Sequence, residues 1–152
     1  MGYISDLRKF VGHKPLIMVT AAGIIIKDHK ILLQKRADLN LWAIHGGALE
    51  IGETIEDTLV REIKEEIGIK PTNYQFYKVF SGENFRIEYP NKDIVYLVDN
   101  IFIVTDFEGE IKIDQSEVTE VKWFNLTDIP WQHLMPHNEL ILKEYILSKQ
   151  DK

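Results

Sequence analysis

The sequence predicts a mixed α/β or α+β sandwich, and three observations carry that reading. Apolar stretches of strand length lie on both sides of one strongly marked helix. A second amphipathic segment follows near the end, so the order runs strands, helix, strands, helix. The 152 residues are 45% hydrophobic and 28% charged, which suffices for a globular chain with a sizeable core. Residues 1–152 are therefore read as one domain, with residues 1–13 as an N-terminal helical extension.

Tyr3 to Val11 carries Ile4, Leu7, Phe10 and Val11 at helical spacing, with Ser5 or Asp6 near its start. This short helix either caps the sheet or meets a dimer partner, so a homodimer is among the expected assemblies. Residues 12–15 link it to the first strand, Leu16 to Lys27, which has no polar face and reads as buried. Residues 31–36 form its hairpin partner across Asp28-His29-Lys30. In that second strand Leu32, Gln34 and Arg36 share one face, while Ile31, Leu33 and Lys35 share the other. Residues 41–44 make a short strand with Trp42 as a packing residue. His45-Gly46-Gly47 then reads as a loop whose glycine pair lets backbone approach a ligand closely.

The marked helix follows. Thr54 is its N-cap, paired with Asp57 in a capping box. Gly68 is the left-handed residue past its end, and Pro71 forbids continuation. Ile55, Leu59, Ile63 and Ile67 recur every four residues as one buried stripe. Glu62 and Glu66 stack one turn apart beside it, with Glu65 next to them. Glu66 falls on the edge of the stripe, where a carboxylate is partly desolvated, and three such groups repel until a cation neutralises them. Hard oxygen ligands, with no cysteine and no regular histidine spacing, point to Mg²⁺ or Mn²⁺ rather than zinc. Taken alone, such a run is more often an ordinary solvated acidic face.

Beyond the helix, residues 74–89 are strand-like, residues 90–93 a turn, and residues 94–105 the return strand. Residues 107–110 turn again, Asp114-Gln115-Ser116-Glu117 is a polar loop, and residues 121–125 form a further short strand. Asp128-Ile129-Pro130 ends it. Residues 137–149 make the closing amphipathic helix through Leu140, Ile141, Tyr145 and Ile146, with Asn138 at its start. A net charge of −6 argues against general nucleic-acid binding, which needs a clustered basic face. Zero cysteines exclude disulfides and thiolate sites and suit a cytoplasmic location. No signal-peptide pattern or apolar run of about 18 residues appears, so no membrane partner is expected.

The acidic helix belongs to a longer pattern. Gly47, Glu53, Arg61, Glu62, Ile63, Glu65, Glu66, Gly68 and Ile69 match nine positions over 23 residues. This segment resembles the signature of the Nudix (MutT-like) hydrolase family, and the resemblance extends over about residues 16–147. It implies a mixed β-sheet sandwiched between helices. It also implies a metal-dependent pyrophosphohydrolase that cleaves the P–O–P bond of a nucleoside diphosphate linked to X. The substrate is then a small nucleotide: a nucleoside triphosphate, a nucleotide sugar or a related compound. Mg²⁺ is the implied cofactor, with Mn²⁺ able to substitute.

The resemblance also suggests roles for single residues. Glu62, Glu65 and Glu66 would ligate the metal, with the Gly46 carbonyl completing the shell. Glu117, six residues before Trp123, matches a further ligand, and Glu120 is its nearest rival. Glu65 or Glu117 would serve as general base. Glu53 and Arg61 would pair and orient the helix and its ligands. Arg36, with Lys35 beside it, would lie near the substrate phosphates. Asn138 matches, by its spacing from Pro136, an asparagine that reads a purine edge; a plain helix-capping role is the alternative. The sequence departs from the family at His45, where most members carry proline; the histidine either contacts phosphate or is merely accommodated. Other signatures are missing: ADP-ribose-hydrolysing members carry proline where this chain has Asn84, and Tyr89 does not fit the dinucleoside-polyphosphate position. Two alternatives remain, a catalytically silent nucleotide-sensing module and an RNA 5′ pyrophosphohydrolase.

Overall fold

The first strand, Leu16–Lys27 (β1), is buried on both faces only from Thr20 to Ile25; Ile17 and Val19 are 77% and 40% exposed, so the strand read as buried is open at its start. In the computed structural model, which describes residues 2–150, Ala21 and Ile25 point into one core layer and Ala22 and Ile24 into the other. Met1 and residues 151–152, counted above in the domain, lie outside the described residues. β1 runs parallel to β7 (Ile94–Glu108) and antiparallel to β2 (Lys30–Arg36) and β4 (His45–Ala48). The sheet follows the path β3 (Trp42–Ala43), β2, β1, β7, β5 (Lys70–Phe80). Off this path β4 pairs with β1, β6 (Arg86–Glu88) with β7, and β8 (Val118–Asn125) with β2.

Helices close both faces. On one side α2 (Ile55–Ile67) sets Leu59, Ile63 and Ile67, all fully buried, against Ala21, Ile25, Leu32 and Phe102. On the other, α3 (Pro136–Gln150) packs Ile141, Leu142 and Tyr145 against Ile24, Ile31, Leu33 and Ile101. Each such aliphatic side chain contributes about 1.5–3 kcal/mol of transfer free energy, so the stripe alone fixes which way α2 faces. The result is the mixed sheet between helices that the sequence predicts. α1 (Tyr3–Val11) lies on this same fold, its Arg8 donating to the Ile94 carbonyl at 2.7 Å and its Ile4 touching the α3-side core.

The ends of α2 are as read. Thr54 Oγ1 accepts from the Asp57 N–H at 3.0 Å, and Asp57 Oδ2 accepts from the Thr54 N–H at 3.1 Å. Gly68 sits at φ 82 and donates to the Lys64 carbonyl. Other boundaries differ. Lys30 belongs to β2, so the first hairpin turns on Asp28 and His29 alone, both left-handed at φ 52 and 61. Residues 74–89 are not one strand: β5 already begins at Lys70, tolerating Pro71 because its one partner strand is β7. It ends at Phe80, and Gly82 at φ 105 turns the chain through a short 3₁₀ turn into β6. β8 starts at Val118 rather than residue 121, and β7 continues to Glu108. Leu140, which helical spacing assigns to the buried stripe, is 42% exposed; Asn138, Ile141, Leu142 and Tyr145 form the covered face. His45-Gly46-Gly47 is not a loop but part of β4.

Candidate active site

The site begins with why β4 contains two glycines. A Cβ on Gly46 would stand 2.2 Å from the Ala21 carbonyl oxygen, and one on Gly47 would stand 2.3 Å from Glu62 Cδ. Glycine therefore lets β4 lie close over β1 and lets the Glu62 carboxylate come up behind it. The capped ends of α2 set the phase that turns Glu62 and Glu66 towards this strand. Glu66 is 7% exposed. Its Oε1 accepts from the Gly46 N–H at 3.0 Å, and its Oε2 accepts from Gln34 Nε2 at 3.1 Å. Glu66 borders a cleft of about 430 Å³, a size suited to a small ligand.

Three carboxylates here act on one another. Burial pushes Glu66 well above the usual carboxylate range, and Glu62 and Glu117 push it further. Glu62 is raised to about 7, first by burial; Arg61 pulls it down while Glu65 and Glu117 push it up. Glu117 is raised by burial and then by Asp114 and Glu65. Among the described residues, no three His, Asp or Glu side chains are gathered closely enough to hold a metal ion as they stand. The tethers explain this, since Glu62 leans on Arg61 at 2.9 Å and Glu66 is bound by two N–H groups. The donor chemistry nonetheless fits a divalent ion: the groups are hard oxygens, and positive charge among them would reverse each upward shift.

Arg61 is the brace. It pairs with both oxygens of Glu53 at 2.6 and 2.8 Å, with Glu62 at 2.9 Å, and donates to the Ala48 carbonyl at 3.1 Å. One guanidinium thus ties α2 to the end of β4 and restrains Glu62, as the expected Glu53–Arg61 pairing requires. Arg36 lines the cleft from the end of β2, forked onto Asp38 at 3.0 and 2.8 Å with its guanidinium 6.0 Å from the Tyr89 ring centre. Glu117 also lines the cleft, its carbonyl accepting from the Ala37 N–H at 2.9 Å.

The structure does not bring every expected residue here. Glu65 is 56% exposed and pairs with Arg61 outside the cleft. Lys35 lies on the opposite face of β2, its ammonium 5.9 Å from the Trp42 ring centre. Glu120 is exposed on β8, away from the cleft. Asn138 does reach the cleft, but not as an N-cap: it sits inside the first turn of α3, 2% exposed, and its Oδ1 accepts from the Ile44 N–H at 2.9 Å.

Away from Glu66 the cleft has another character. Met18, Ile87 and Leu97 supply apolar wall, and Asp99 lies among them, 2% exposed. Thr20 Oγ1 donates to Asp99 Oδ1 at 2.7 Å, and burial raises Asp99 to about 6. His137 borders the same space, its pKa pushed down to about 4 by burial. Asp99 had a signal in the sequence: it shares a strand face with Val95, Leu97 and Ile101, so alternation puts a carboxylate inward. Gln34 and Thr20 had none beyond their polarity.

A mixed sheet between helices carries an acidic helix set against a glycine strand at a cleft, and the relatives of this chain identify the class as a hydrolase acting on phosphorus-containing anhydrides. A family model described as the NUDIX domain matches residues 17–143, and the chain belongs to the Nudix family of MutT-like pyrophosphohydrolases. It is 36% identical over 135 residues to an ADP-ribose pyrophosphatase of Methanocaldococcus jannaschii, covering 86% of this chain and 74% of the relative. It is 30% identical over 120 residues to the NAD-capped RNA hydrolase NudC of Vibrio atlanticus, covering 78% of this chain and 41% of that protein. The chain thus spans less than half the length of that RNA hydrolase. Among solved structures, a MutT NUDIX hydrolase from Burkholderia pseudomallei aligns with a TM-score of 0.71 at 27% identity, over 86% of this chain and 97% of that one. Nudix hydrolases generally need a divalent metal and act on small nucleotide substrates. Among the described residues no helix is long and apolar enough to cross a membrane.

Proposed function

We propose that the protein hydrolyses the P–O–P bridge of a nucleoside diphosphate linked to a second group, with Mg²⁺ as working ion and Mn²⁺ able to replace it. One observation carries this reading: Glu66 is a carboxylate buried at the edge of a ligand-sized cleft, with Glu62 and Glu117 acting on it. A carboxylate so buried beside two others is costly to keep charged without a cation. Glu62, Glu66, Glu117 and the Gly46 carbonyl would hold the ion. When bound, a divalent ion polarises phosphoryl oxygens and acidifies a water molecule.

The chain's own groups do the rest. Arg36 meets phosphate charge where it lines the cleft. Glu117, which also lines it, takes the proton of the attacking water; Glu65 pairs with Arg61 outside the cleft. Glu53 and Arg61 hold Glu62 in place. The water oxygen joins one phosphorus and the bridging oxygen leaves on the other, giving a nucleoside monophosphate and a phosphorylated second group. The nucleoside half lies against Met18, Ile87 and Leu97, where Asp99 accepts a hydrogen bond from it and the Asn138 NH₂ group donates one.

ADP-ribose is the first substrate to test, because a relative 36% identical bears that activity in its name. Asn84, where the ADP-ribose-hydrolysing pattern has proline, keeps nucleotide sugars and nucleoside triphosphates in the panel. A long RNA fits less well: Arg36 is the one cation among the described residues lining the cleft, and the chain carries −6. The deciding experiment offers ADP-ribose, nucleotide sugars, nucleoside triphosphates, NADH and NAD-capped RNA with Mg²⁺ and follows formation of the nucleoside monophosphate. Turnover of a small diphosphate-linked nucleoside is expected. Binding of a nucleotide without turnover of any would make the protein a sensing module instead.

A further inference from the structure

The residue before the glycine pair is a fully buried histidine, and nothing in the reaction above uses it. His45 does not line the cleft. A buried imidazole must still satisfy its nitrogens. His45 Nε2 lies 2.8 Å from the Leu32 carbonyl oxygen, and Nδ1 lies 3.1 Å from Gln34 Oε1. Gln34, itself 4% exposed, turns its NH₂ to Glu66 Oε2 at 3.1 Å. A line of contacts therefore runs from the β2 backbone through His45 and Gln34 to the one deeply buried carboxylate of the acidic cluster.

We propose that Gln34 is a positioning residue that holds the Glu66 carboxylate in a single orientation for a divalent cation. The inference rests on the reading of Glu66 as a metal ligand. Gly46 N–H fixes one carboxylate oxygen and Gln34 NH₂ the other, and two donors on two oxygens set the plane of the group. A glutamine amide has nearly the same shape either way round, and reversed it would set oxygen against oxygen. The Leu32 carbonyl can only accept, so its 2.8 Å contact puts the His45 hydrogen on Nε2 and leaves the ring behind Gln34 as packing. Partners standing behind a metal ligand in this way typically change metal affinity by about 10–100-fold when removed.

The test is Mn²⁺ binding to the full chain without substrate, read from the electron paramagnetic resonance signal of free Mn²⁺, with a melting curve beside it. Gln34→Met keeps the bulk and removes the donor, and should weaken binding by about 10–100-fold. Glu66→Gln is the reference. If it binds Mn²⁺ like the wild type, the metal-site reading itself fails. If it loses binding while a folded Gln34→Met variant binds normally, the metal site stands and the positioning role is overturned.

Discussion

Glu66 and Asp99 are carboxylates buried in the walls of one cleft, and burial raises both above the usual range. Their surroundings differ. Glu66 has an N–H donor on each oxygen, and Glu62 and Glu117 add their charge to it. Asp99 has one hydroxyl donor, Thr20, and no other carboxylate contributes to its shift. The two ends of the cleft thus use burial for different tasks. A crowd of carboxylates held by fixed donors suits a cation, while a solitary one among apolar side chains suits a hydrogen bond from a neutral part of the substrate.

The contrast can be broken by replacing each carboxylate with its amide. Glu66→Gln keeps the shape and removes the charge, so kcat should fall by about 10² or more while the fold survives. Near-native turnover on the true substrate would remove Glu66 from the ligand set. Asp99→Asn should instead raise KM about 5- to 150-fold, equivalent to 1–3 kcal/mol of binding, with kcat little changed. A collapse of kcat at unchanged KM would erase the distinction between the two ends.

Acidity sharpens the same contrast. The Asp99 carboxyl moves from an ordinary 3.8 to about 6 on folding, so the folded chain holds that proton more tightly than the unfolded one. Its stabilising contribution is present below about pH 4 and is lost as pH rises through 6. Asp99→Asn should therefore melt higher than wild type at pH 7, by about 1–3 kcal/mol of stability, and show no such gain near pH 4. A gain of equal size at both pH values would mean that the buried charge is not its source. The last effect is expected at Asn138. Its replacement by alanine leaves the Ile44 N–H without its acceptor, at a stability cost of about 1–3 kcal/mol. If the NH₂ group also reads the base, the ratio of kcat/KM for a purine over a pyrimidine substrate should fall; an unchanged ratio would leave Asn138 a purely structural residue.

These residues also divide by how they were written in the sequence. Glu62 and Glu66 were legible because α2 is specified locally: Thr54, Asp57 and Gly68 mark its ends, and a period of four marks its buried side. Once the phase of a helix is known, so is the direction of its carboxylates. Arg61 and Glu53 follow from the same local geometry. Asp99 takes its role from Thr20, 79 residues away across the parallel β1–β7 pairing, and Gln34 from Glu66, 32 residues away. Alternation shows that Asp99 points inward, but not that a cleft lies there. His45 was the hardest to place, because two following glycines suggest a loop. The close approach of β4 to β1 makes them part of a strand and puts the ring inside.

The most direct test of the division between the two ends is the rise in melting temperature that Mg²⁺ produces in wild type, Glu66→Gln and Asp99→Asn, measured without substrate. A ligand at a hundred times its Kd stabilises the folded state by about 2.7 kcal/mol, well within reach of a melting curve. We expect the wild type and Asp99→Asn to rise alike and Glu66→Gln not to rise. A full rise in Glu66→Gln, or its loss in Asp99→Asn, would contradict the assignment of the cation to one end of the cleft and the nucleoside to the other.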